Sequence, residues 1–73
     1  MAVGERIKEL RTQKKLTQQN LATMVGMTYI QIGRYETQKS NPSSEVLQRI
    51  AKALDTTSDF LMNGGNDETV SAQ

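Results

Sequence analysis

The sequence predicts an all-α domain of five short helices, with the second and third forming a helix-turn-helix. Three observations carry that expectation. Apolar residues recur three and four apart along most of the chain, the spacing of one helix face. Between Gln18 and Glu36 two such patterns meet at Gly26, a residue that ends a helix in a left-handed turn without a Cβ clash. No segment shows the alternating pattern of a strand, and no repeat is present.

The first helix is expected over about Gly4–Lys14, with Ile7 and Leu10 facing inward. Glu5 near its start and Lys14 and Lys15 at its end suit the helix dipole. Leu16 then makes a buried link, and Thr17 is the expected N-cap of the second helix. That helix carries the stripe Leu21, Ala22 and Val25 and ends at Gly26, with Ala22 small enough for a close helix crossing. Met27 can plug the gap in the turn. Thr28 opens the third helix, Tyr29 to about Glu36, and Gln31 could complete a capping box with it.

Ile32 and Tyr35 point inward, which leaves Tyr29, Ile30, Gln31, Gly33 and Arg34 outward. A face made only for water usually mixes Glu with Lys. This one holds amide, guanidinium and apolar groups, which can meet base edges and phosphates in a major groove. The loop Thr37–Pro42 follows. Pro42 stops helix before it, and Ser43 or Ser44 caps a fourth helix to about Leu54. Its stripe of Val46, Leu47, Ile50, Ala51 and Leu54 is the widest in the chain. Thr57 or Ser58 caps a short fifth helix with Phe60, Leu61 and Met62. The domain is thus placed at residues 1–62, and 63–73, rich in glycine and small polar residues, as a tail or linker.

The run Gln18, Leu21, Ala22, Val25, Gly26, Thr28, Ile32, Tyr35 and Glu36, followed by Pro42 and LQRIAKAL, resembles the Cro/phage-repressor (Xre-type) helix-turn-helix family. The resemblance spans residues 4 to 62 and a dozen spaced positions. It implies a five-helix lambda-repressor-like fold and sequence-specific binding of double-stranded DNA as a homodimer on a palindromic operator. It also implies phosphate contact by Thr17, phosphate or base contact by Gln18, and an ion pair between Arg11 and Glu36. The dimer surface is implied at Thr57, Ser58, Leu61 and Met62, the alternative being that Leu61 and Met62 close the monomer core. Family members often have glycine where Gln38 stands, so either a left-handed backbone strains Gln38 or the loop takes another path.

Within that frame, base contacts are expected from Gln18, Tyr29, Ile30, Gln31 and Arg34. Phosphate contacts are expected from Thr17, Thr28, Lys39 and Asn41. Each has a plainer alternative. Arg34 could touch phosphate or solvent only, Gln31 could close its capping box, and Tyr29 could pack on a neighbouring helix. Ile30 could meet a thymine methyl or be a half-buried filler, while Gly33 could allow close approach or only spare a clash.

Composition narrows the competing classes. The chain has 73 residues, no cysteine, no histidine and three aromatics, so disulfides, thiolate metal sites and histidine chemistry are excluded. Neither a catalytic constellation nor a cofactor site can be assigned, and no enzyme activity is expected. Nothing resembles a membrane span or a signal peptide, so a cytoplasmic location and no membrane partner are expected. Net charge is +1, but residues 1 to 44 carry seven cations against three acids and residues 45 to 73 two against five. That asymmetry suits one basic face. The leading expectation is a transcriptional regulator, most simply a repressor. The alternative is a protein-interaction module, such as the antitoxin of a toxin–antitoxin pair, with a further protein partner and DNA secondary.

Overall fold

The computed structural model describes residues 2–63; the segment read as a tail falls outside them from residue 64 on. Five helices follow one another: α1 Val3–Gln13, α2 Gln18–Val25, α3 Tyr29–Glu36, α4 Ser44–Ala53 and α5 Ser58–Asn63. No strand occurs among the described residues. α2 packs on α3 and α4, α1 on α3 and α5, and α4 on α5. The expected stripes converge on one core. Ile7, Leu21, Ile32, Ile50, Leu54 and Leu61 are fully buried, as is the small Ala22. Leu10, Leu16, Met27 and Val46 are only partly buried at its edge.

Capping side chains start the helices where the sequence places them. The Thr17 hydroxyl accepts from Asn20 N at 2.9 Å, and Asn20 Oδ1 accepts from Thr17 N at 3.0 Å, a reciprocal box closed by asparagine. Thr28 accepts from Gln31 N at 3.2 Å, but the return half is absent. The Gln31 amide instead donates to Ser40 Oγ at 3.4 Å, tying α3 to the following loop. Ser43 caps α4 and Thr57 caps α5, which decides both pairs of candidates.

The helix ends share one device that the sequence displays only once. After α1, α2, α3 and α4 a single residue turns left-handed: Lys15 at φ 61°, Gly26 at 75°, Gln38 at 66° and Asp55 at 59°. In each case the next N–H reaches back five residues. Leu16 donates to Arg11 O, Met27 to Ala22 O, Lys39 to Arg34 O and Thr56 to Ala51 O, at 2.8 to 3.0 Å. Only α2 has the glycine that makes the turn free of strain. Of the two alternatives for the loop, Gln38 takes the left-handed backbone rather than another path, with the Lys39 closure beside it.

Two residues of α1 have roles that helical spacing does not reveal. Gly4 is buried where α1 meets the end of α3. A Cβ there would stand 1.9 Å from the Tyr35 carbonyl oxygen. Arg6 is buried too, and its Nη1 donates to Leu61 O at 2.8 Å and Met62 O at 3.0 Å. A cation thus sits on the carbonyl end of α5, where the helix dipole favours it. This bears on the dimer residues. Leu61 has no exposed surface and fills the monomer core, so its side chain is withdrawn from the dimer surface. Met62, the next residue on the helix, is 56% exposed.

Candidate nucleic-acid interface

α3 owes its presentation to the inward pair Ile32 and Tyr35. They anchor one side of a two-turn helix, and the opposite side is left to solvent. Ile30 lies two residues from Ile32, about 200° round the helix. It is 60% exposed, which overturns the reading of it as a half-buried filler. Tyr29 is 52% exposed and Arg34 is exposed. Arg34 makes no ion pair among the described residues. Gln31 is half-buried through its bond to Ser40, and Lys39 and Asn41 are exposed on the same loop.

The exposed face is braced from behind by a buried charged node. Arg11 Nε donates to Glu36 Oε2 at 2.6 Å and Nη2 donates to Oε1 at 3.1 Å, a two-pronged pair. Arg11 Nη1 donates to Leu16 O at 2.6 Å. The two side chains are 10% and 2% exposed. One guanidinium therefore joins α1, the α1–α2 turn and the end of α3. Because Glu36 is neutralised inside, the outer face of α3 carries no exposed acid.

The amino ends of α2 and α3 both open to solvent. Thr17 and Thr28 are exposed caps, and their hydroxyls are already engaged in capping. An uncovered helix start offers backbone N–H groups to an anion. Gln18, the first residue of α2, is half-buried, and its Nε2 donates to Glu36 Oε1 at 3.1 Å. The structure thus gathers Tyr29, Ile30 and Arg34 on one helix face. Gln18 is bound to the node behind that face, and Lys39 and Asn41 lie on the loop after it. Sequence reasoning missed the Gln18–Glu36 bond and the Arg6 clamp, since each joins residues far apart in the chain.

This architecture defines a helix-turn-helix protein, with the second helix of the motif, α3, presented outward from its packing on α1 and α2. A helix-turn-helix family model matches residues 7–61, and the chain belongs to the Cro/phage-repressor family of that class. It is 38% identical over 61 residues to the SPbeta prophage-derived HTH-type transcriptional regulator YonR of Bacillus subtilis, covering 84% of this chain and 56% of that protein. It is 34% identical over 67 residues to Repressor protein C2 of Salmonella phage P22, covering 92% of this chain and 31% of that one. The chain therefore spans from about a third to just over half of these relatives.

A crystal structure of the P22 c2 repressor in complex with a synthetic operator superposes with a TM-score of 0.85 at 34% identity, covering 88% of this chain and 97% of that one. The same helical unit also occurs within a larger enzyme. The hydroxypropylphosphonic acid epoxidase from S. wedmorenis matches with a TM-score of 0.75 at 28% identity, over 82% of this chain but 32% of that protein.

Proposed function

We propose that the chain is a sequence-specific double-stranded DNA-binding transcriptional regulator, acting as a repressor. The observation that carries this reading is the exposed face of α3 formed by Tyr29, Ile30 and Arg34, braced by the buried Arg11–Glu36 pair. The likeness to a repressor solved on its operator supports it. In the proposed mode α3 lies in the major groove, where Arg34 reads a guanine edge and Ile30 meets thymine methyls. Tyr29 and Gln31 approach bases from the first turn. Backbone N–H groups at the α2 and α3 starts, with Lys39 and Asn41, hold phosphates and set register. Two copies would dimerise near Thr57, Ser58 and Met62 and place their recognition helices about 34 Å apart on a palindromic operator.

Selection of bound duplexes from a random pool tests this reading. The expected product is a palindrome with half-sites one helical turn apart. Its affinity should fall steeply with added salt as phosphate counterions are displaced. Arg34→Ala should cost about 1–3 kcal/mol of discrimination at one guanine-containing pair per half-site. A pool that emerges unenriched would defeat the proposal. Uniform weakening in Arg34→Ala, with base preference intact, would reduce Arg34 to a phosphate contact.

A further inference from the structure

Gln18 is held before any duplex arrives. Its amide nitrogen donates to Glu36 Oε1 at 3.1 Å, the oxygen that also accepts from Arg11 Nη2 at 3.1 Å, while Arg11 Nε donates to Oε2 at 2.6 Å. Both carboxylate oxygens are thus engaged. An ionised carboxylate only accepts, so the NH2 end of the Gln18 amide must be the one that faces it. The amide keeps its carbonyl oxygen and one N–H for another partner.

The place where the amide rests is made by a missing side chain. A Cβ at Gly33 would lie 3.6 Å from Gln18 Nε2, 3.7 Å from Oε1 and 3.9 Å from Cδ. These are ordinary contact distances, so a methyl group would fit against the amide. Any larger group would compete for the space that Gln18 occupies. Glycine is otherwise a poor choice inside a two-turn helix, where almost any residue other than proline favours the helix more. Its backbone is ordinary here too, with no left-handed turn at this position. Conformational need does not call for a small residue at position 33, whereas the seat of Gln18 does, and glycine or alanine would meet it.

We propose that Gly33 and Glu36 are positioning residues that act through Gln18. Glu36 fixes which end of the amide turns inward, and Gly33 leaves the surface on which the amide lies. Together they fix the side chain's orientation before binding, so less rotamer freedom is lost when the duplex docks. The size of the side chain at position 33 then tunes DNA recognition from beneath Gln18. This inference rests on the DNA-binding reading above.

The test is a double-mutant cycle on a selected duplex with the full chain as wild type, Gly33→Val, Gln18→Ala and the double variant. Valine fills two of the three staggered positions around Cβ, and it favours helix over glycine. Gly33→Val should weaken binding about fivefold or more in the wild-type background, the scale of one lost hydrogen bond, and less than about twofold when Gln18 is already alanine. Equal losses in both backgrounds would mean that residue 33 meets DNA directly and would overturn the proposal; so would no loss in either.

The free protein supplies a second readout that a purely structural role would not move. The Gln18 side-chain amide resonance should stand apart from those of exposed glutamines and move toward them in Gly33→Val. An unmoved resonance would contradict the seat. If valine unfolds the domain, Gly33→Thr carries the same branching through the same measurements. Failure of the wild type to bind any selected duplex would sink the DNA-binding reading, while the resonance would still decide whether Gly33 seats Gln18.

Discussion

Replacing Gly4 with alanine is expected to destabilise the domain by about 2–4 kcal/mol, the upper range for forcing atoms into a packed site. The added methyl would stand 1.9 Å from the Tyr35 carbonyl oxygen, 3.0 Å from its carbon and 3.2 Å from Glu36 Cα. All three obstacles are backbone, so no side chain can swing aside. Alanine does favour helix over glycine by about 1 kcal/mol, and the clash must exceed that gain. Relief requires moving α1 off α3 or unwinding the first turn. Moving α1 pulls Arg11 from Glu36, and unwinding loses the Glu5 cap on Ala2 N and the packing of Val3. At about 4–8 °C per kcal/mol for a domain of this size, the thermal midpoint should fall by about 8–32 °C. A midpoint within a few degrees of the wild type would show that α1 and α3 do not meet this closely.

Glu36→Ala has an expected cost of about 3–5 kcal/mol, because it leaves the buried Arg11 guanidinium without its countercharge. Only the Leu16 carbonyl would remain as an acceptor for Arg11. The end of α3 would lose its tie to α1, and Gln18 would lose its partner. DNA affinity should therefore fall with stability, even though Glu36 faces away from solvent and reaches no duplex. Replacing both partners by apolar residues, as in Arg11→Met with Glu36→Leu, should recover much of the stability, since no buried charge is then stranded. Denaturant unfolding of the single and double variants measures this. Unchanged unfolding and unchanged affinity in Glu36→Ala would remove the node from the account.

The features legible in the sequence are the local ones. Caps, apolar spacing and the Gly26 turn each depend on residues within a few positions, so the five helices and the turn between α2 and α3 can be read directly. The departures arise where distant residues meet. Gly4 reads as a weak helix residue until the Tyr35 backbone appears against it. Arg6 reads as one more cation until the end of α5 closes over α1. Leu61 reads equally well as core or surface, because six residues are too short for periodicity to orient a helix; Arg6 and the core decide it. Lys15 and Asp55 carry no mark of the left-handed backbone they adopt, since the tertiary fold holds them there. At the candidate interface the exposure of Tyr29, Ile30 and Arg34 follows from Ile32 and Tyr35 alone, whereas Gln31 and Gly33, also expected outward, are half-buried against Ser40 and Gln18. The Gln18–Glu36 bond depends on a crossing angle that spacing does not encode.

The measurement that bears most directly on the central claim is a titration of the free domain with a selected duplex at low ionic strength, followed by backbone amide resonances. Tyr29 through Arg34 and the starts of α2 and α3 should shift together and saturate, while α5 and the outer face of α4 stay still apart from any dimer contact. Resonances of Tyr29–Arg34 that hold their positions while the duplex binds elsewhere would contradict the account.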